Sequence, residues 1–222
     1  MNWKHAFTSS IGKKLVVGIT GLSLILFLIV HCYINALVFL PNGKELYLDA
    51  AHFMGTNFIV RTLEIGLFVG IILHIVQSLM LTFQNKAKRP VNYEVKPGNK
   101  SSSWYSRSMG LLGTLILLFL ILHMYHFWIP NRYEQHFGAG EIDLYAKMAV
   151  VFESLGVVIV YTLGCISLGW HLAHGFWSAF HTLGWSTTKY KKIIRNVGYA
   201  FAIIVPGIFI AMPWAFYLDL LK

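Results

Sequence analysis

Five apolar runs, at roughly 14–40, 58–83, 107–130, 147–182 and 194–218, occupy most of the 222 residues and dictate what this chain can become. Each reaches the ~20 helical residues that cross a hydrocarbon layer of about 30 Å. Backbone N–H and C=O groups find no water there, so each run must satisfy them internally, as a helix. A composition 56% hydrophobic and 12% charged lies outside the range of soluble globular domains. The expected fold is therefore an all-α integral membrane protein. It is a bundle of five transmembrane helices forming a single membrane domain over 1–222, without room for a soluble catalytic domain. The first run is too long for a signal peptide and lacks a small-x-small site before its polar end, so it reads as a retained span.

The net charge of +9 would suggest nucleic acid as a partner of a soluble protein, but its distribution argues for topology instead. Of the 18 Lys and Arg, only Lys44, Arg61, Arg132, Lys147 and Lys222 fall on one side of the spans or at the helix ends there. The rest crowd the other side. By the positive-inside rule that side is cytoplasmic, so the N-terminus is expected in the cytoplasm and the C-terminus outside. The connection at 84–106 becomes a basic cytoplasmic loop, suited to anionic lipid or to a docked partner. No nucleic acid is expected.

Four of these runs carry a histidine in their apolar interior: His31, His74, His123 and His171. An ionisable residue inside a span is costly and marks a functional site, and imidazole is an axial ligand of haem iron. Four such residues are what two bis-histidine haems need. At 1.5 Å per residue, His31 lies about 26 Å and His123 about 24 Å from the cytoplasmic helix ends, whereas His74 and His171 lie about 14–16 Å in. The four thus fall into an outer and an inner pair, each drawn from two helices. Against this stand two other readings: interhelical hydrogen bonds, and a proton relay, which usually brings intramembrane carboxylates at mid-depth. Glu64 and Glu153 both lie toward the outer ends instead.

His126 and His174 each follow a candidate ligand by three residues, on nearly the same helix face, and remain alternatives at this point. His181 lies near the inner interface, and His5, His52 and His136 lie outside the spans or at their edges. Cys32 and Cys165 form no C-x-x-C or C-x-x-C-H pattern, so covalent haem attachment has no support. Gly66 and Gly70, and Gly18, Gly21, Gly110 and Gly113, allow close helix packing or the approach of a flat macrocycle to a backbone. The fifth run carries Pro206 and Pro213 but no histidine.

The segments HLAHGFW (171–177), TGLSLILFLIVH (20–31) and SRSMGLLGTLILLFLILHMYHF (106–127) carry a resemblance. Together they look like the di-haem cytochrome b membrane-anchor subunit of succinate dehydrogenases and fumarate reductases, the bacterial succinate:quinone oxidoreductases. The single-polypeptide, five-helix type is the most similar, over nearly the full length. The family's H-x-x-x-G pattern fits His171 with Gly175 and disfavours His174. Its His-x-x-x-Phe pattern fits His123 with Phe127 and disfavours His126.

The resemblance implies His31 and His123 as axial ligands of a distal haem b, and His74 and His171 as those of a proximal haem b. It implies a multi-pass protein of the bacterial inner membrane. This subunit would pass electrons between an iron–sulfur subunit and a membrane quinone, menaquinone in this type. A flavoprotein subunit with FAD and the iron–sulfur subunit with its clusters would dock on the cytoplasmic side. The chain itself would not touch succinate or fumarate. Some fumarate-reducing members have a glutamate two residues before the fourth-span ligand, where this chain has Gly169. Glu64 is the carboxylate offered for proton exchange with quinone, against a plain ion pair with Arg61. Lys13, Lys14, Arg107 and Arg61 are candidate partners of haem propionates. The competing expectations are the cytochrome b anchor of a hydrogenase or formate dehydrogenase, and a haem-free transporter that uses the histidines.

Overall fold

The computed structural model describes residues 9–87, 103–138 and 140–221. Among them the helices are α1 (Ser10–Ala36), α2 (Gly43–Thr56), α3 (Phe58–Ala87), the short α4 (Trp104–Arg107), α5 (Met109–His123), α6 (Ile129–Phe137), α7 (Leu144–Val151), α8 (Leu155–Thr182) and α9 (Lys191–Tyr217). Five helical stretches are long and apolar enough to cross a membrane: Ser10–Phe39, Phe58–Ala87, Met109–Phe137, Leu155–Thr182 and Lys191–Tyr217. The chain is a five-span helical membrane protein.

The helices outrun their apolar runs where polar residues can support a turn. Helix α1 starts at Ser10 because the Ser9 side chain accepts the Gly12 N–H at 3.0 Å, which draws Lys13 and Lys14 into the helix. Helix α3 continues through Lys86, a cation suited to a helix C-terminus. The basic connection at 84–106 lies mostly outside the described residues.

The apolar stretch 147–182 divides into two helices. Helix α7 ends at Val151, Phe152 and Glu153 form a turn, and α8 begins after the extended Ser154. Phe152 is fully buried, packing on Phe127, Tyr161 and Phe216, so this turn is fixed by its core contacts. The connection at 41–57 is also mostly helical, because Gly43 lets the chain reverse tightly into α2. Asn42 has φ 57°, and a Cβ on Gly43 would lie 2.6 Å from the Val38 carbonyl oxygen.

Contacts fix the relative directions of the helices. Gly18 of α1 faces Thr182 and Leu183 at the end of α8, Gly110 of α5 faces Thr82 near the end of α3, and Gly198 of α9 faces Phe176 of α8. These form one end of the bundle, the first end. At the opposite, second end, Arg61 and Glu64 of α3 meet Arg132 of α6, and Tyr145 of α7 meets Phe216 of α9. Helix α8 packs broadly on α9 and also on α1 and α5, α3 packs on α1, and α3 and α5 touch each other little.

Two apolar clusters hold this arrangement. Leu37, Val38, Tyr47, Met148, Phe152, Val158, Tyr161, Met212 and Phe216 seal the second end, while Ile25, Leu172, Phe176 and Ala202 join α1, α8 and α9. Gly169 sets the α8–α9 distance, since a Cβ there would lie 3.0 Å from the Ala202 carbonyl oxygen and against Pro206. That position is a helix contact with no space for a carboxylate.

Candidate functional site

The first candidate pair brings α3 to α8. The rings of His74 and His171 lie 6.4 Å apart between centroids with their planes at 67°. Glycines of the two other helices border them. A Cβ on Gly21 of α1 would lie 3.4 Å from His74 Cε1, and one on Gly113 of α5 would lie 3.9 Å from His171 Cε1. Flat backbone surfaces therefore stand beside both rings. His74 Nδ1 lies 3.1 Å from Thr20 Oγ1, whereas His171 Nδ1 is buried without a hydrogen-bond partner among the described residues.

The second pair brings α1 to α5. The rings of His31 and His123 lie 5.8 Å apart with planes at 87°. Phe27 stacks on His31 at 5.2 Å and Phe209 of α9 tilts against it at 5.4 Å. His123 is flanked by Phe119, Phe127 and Tyr161, and its Nδ1 is buried without a partner among the described residues. Asn35 donates to the His31 carbonyl at 2.8 Å.

No hydrogen bond joins the two rings of either pair among the described contacts; His123 Nδ1 and His171 Nδ1 have no partner there, and of the four His74 alone makes an interhelical hydrogen-bond contact, to Thr20. Two imidazoles bound to opposite sides of one metal ion through bonds of about 2.0 Å hold their ring centroids about 6 Å apart. Both pairs match that spacing. The donor set suits a bis-imidazole haem iron: imidazole nitrogens in an apolar interior, Nδ1 of His123 and of His171 without a partner among the described residues, and, beside the inner pair, glycine surfaces against which a flat macrocycle can lie. A bare metal site is a poorer match, because no group of three or more His, Cys, Asp or Glu among the described residues is arranged to hold an ion.

The neighbouring histidines are engaged elsewhere. His126 Nδ1 lies 2.9 Å from the Tyr161 hydroxyl, with the two rings stacked at 5.8 Å and 10°. His174 lies against Tyr105 at 6.3 Å. His181 stacks on Trp177, and His52 binds Glu141 at 2.7 Å. His5 lies outside the described residues.

Directly beyond His123 the helix widens into a π-turn over Met124–Trp128, closed by the Ile129 N–H on the Met124 carbonyl. Such turns insert a residue and gather near functional sites. Trp128 at the end of the turn packs on Phe68 of α3 at 4.9 Å, and its Nε1 donates to Glu64 Oε1 at 2.5 Å. Glu64 also accepts from Arg132 Nη2 at 3.0 Å, from Arg132 Nε at 3.3 Å and from Arg61 Nη1. The carboxylate is thus the centre of a clasp between α3 and α6, and the pairing with Arg61 is one part of it. Phe58, Arg61, Thr62, Glu64, Ile65, Phe68 and Trp128 line a cleft of about 290 Å³ at this place.

Nothing in the residue pattern marks Arg132 and Trp128 as sharing Glu64, because the π-turn that aligns them leaves no trace in the hydrophobic periodicity. The Thr20 contact to His74 was equally hidden. At the first end Lys13 is 2% exposed while Lys14 is exposed.

The chain is 27% identical over 172 residues to the succinate dehydrogenase cytochrome b558 subunit of Bacillus subtilis (strain 168), covering 77% of this chain and 78% of that protein. No family model matches the chain, and no solved structure matches it.

Proposed function

We propose that this chain, a relative of the succinate dehydrogenase cytochrome b subunits, is the membrane anchor and electron-transfer subunit of a succinate:quinone oxidoreductase. One haem b is held by His74 and His171, and a second by His31 and His123. The observation that carries the reading is the double pairing of rings at 6.4 Å and 5.8 Å, each pair without an internal hydrogen bond, inside five apolar helices. When bound, the haem irons supply one-electron redox chemistry.

The chain's own contribution is to hold and orient those ligands. Phe27, Phe209, Phe119 and Phe127 keep water from the outer pair, and Gly21 and Gly113 keep side chains away from the inner one. Lys13, buried near the inner pair's end of the bundle, is suited to a haem propionate. The first end carries Lys13, Lys86, Lys191, Lys192 and Arg195, which supports a cytoplasmic orientation for it in a bacterial inner membrane. The iron–sulfur and flavoprotein subunits then dock there, nearest His74 and His171. The quinone, menaquinone by the family resemblance, enters the cleft beside Glu64. The remaining guanidinium N–H groups of Arg61 offer donors to a quinone oxygen there, Glu64 holds that side chain in place, and the Trp128 indole, its one N–H given to Glu64, lines the cleft.

The test is gentle solubilisation of the complex from its native membrane, with identification of the co-purifying chains and addition of succinate. A flavoprotein and an iron–sulfur protein should accompany this subunit, and succinate should reduce its haem. A hydrogenase or formate dehydrogenase catalytic subunit in their place, or a haem-free preparation, would overturn the proposal.

A further inference from the structure

We propose that Thr20 is a positioning residue for His74, fixing which of its ring nitrogens faces His171 and thereby lowering the midpoint potential of the inner haem relative to an unbonded ligand. This rests on the reading that His74 and His171 bind a haem.

Thr20 Oγ1 lies 2.7 Å from the Val16 carbonyl oxygen, 3.3 Å from the Val17 carbonyl oxygen and 3.1 Å from His74 Nδ1. A hydroxyl has one proton and two lone pairs, and a carbonyl oxygen can only accept. The close contact to Val16 therefore takes the hydroxyl proton. What remains toward His74 is a lone pair, and its partner must be an N–H on Nδ1. The neutral imidazole then carries its lone pair on Nε2, the nitrogen free to bind iron. Thr20 is 8% exposed, so water does not compete well for this contact. The adjacent Gly21 keeps the space beside the ring open.

Among the described residues the other three candidate ligands lack such a side-chain acceptor. Nδ1 of His171 and of His123 has no partner among the described residues, and His31 Nδ1 lies 3.4 Å from the Asn35 amide nitrogen, which donates to the His31 carbonyl at 2.8 Å. A metal-bound histidine whose second N–H donates to an acceptor is oriented by it and becomes the more basic ligand. A more basic ligand favours the ferric state. Among the four, His74 alone receives this from a side-chain oxygen.

The experiment is a redox titration of the whole complex, resolving the two haems optically and by low-temperature electron paramagnetic resonance, for the wild type, Thr20→Val and Thr20→Ser. Valine keeps the shape and removes the hydroxyl, leaving His74 only the Val17 backbone carbonyl that it also meets, whereas serine keeps the hydroxyl and removes the methyl group. The expected result is a higher midpoint potential and an altered ferric signal for the inner haem in Thr20→Val, with the outer haem unmoved and Thr20→Ser close to wild type. Loss of the inner haem in Thr20→Val alone, with Thr20→Ser replete, also supports the role. A replete Thr20→Val with both signals unchanged would overturn it, as would equal effects of valine and serine. A wild-type complex without an inner haem would instead overturn the haem reading beneath it.

Discussion

His31 of α1 and His123 of α5 meet nearly edge to face, with ring centroids 5.8 Å apart and planes at 87°. His74 and His171 repeat the arrangement toward the other end of the bundle at 6.4 Å and 67°. The two pairs share no residue, so they should fail independently. His74→Ala or His171→Ala is expected to lower the haem content from two per chain to one and to cut quinone reduction by succinate to background. His31→Ala or His123→Ala should remove only the outer haem. His126→Ala and His174→Ala should retain both, since these rings are engaged by Tyr161 and Tyr105. Haem quantification on each purified variant checks this, and a haem lost with His126 or His174 would reassign the ligands.

Glu64 gathers Arg61, Arg132 and Trp128 with little exposure of the carboxylate or of Arg132. Glu64→Ala leaves two guanidinium groups facing each other and an indole N–H without its acceptor. A loss of about 1–3 kcal/mol follows, with Glu64→Gln losing less. Both variants should keep full haem content while quinone reduction falls, which thermal unfolding and steady-state assays measure separately. Unchanged turnover in both would remove the adjacent cleft from consideration as the quinone site.

Gly169 of α8 faces the backbone of α9, and an added Cβ would press on the Ala202 carbonyl at 3.0 Å. Gly169→Ala should cost about 1–3 kcal/mol by overpacking, and Gly169→Glu should cost more because the carboxylate has no place between the helices. Unfolding of the detergent-solubilised variants would show the order glycine, alanine, glutamate in falling stability. A glutamate variant as stable as wild type would mean that the two helices do not pack there.

The five spans were legible because each apolar run is long and ends in polar residues, and the histidine positions were legible because a titratable group stands out among Leu, Ile and Phe. Depth along each helix pointed to the same partners that the rings now meet. Other features depend on contacts between distant segments and leave no periodic trace. The turn at Phe152 follows from burial against Phe216 and Tyr161, and α2 depends on Asn42 and Gly43 reversing the chain. The clasp of Glu64 by Arg132 joins α3 to a residue 68 positions away. Reading Arg132 as a topology determinant was natural in a sequence, where charge near a span end has that use so often.

Tyr47 on α2, outside the spans, is 7% exposed, and burial together with the nearby Asp143 carboxylate pushes its phenol up to about 12. The folded state holds this proton more tightly than an unfolded chain, whose tyrosines titrate near 10. Its contribution to stability is therefore complete below about pH 10 and is lost as pH rises toward 12. Tyr47→Phe should flatten the decline in melting temperature between those values. Parallel profiles for the two proteins would assign the decline to other groups.

Two bis-histidine haems in one chain would be counted directly as haem b per polypeptide in the purified, full complex. A pyridine haemochromogen assay set against quantitative amino-acid analysis should give two. A value of one or none would overturn the two-haem assignment and leave at least one histidine pair with a different purpose.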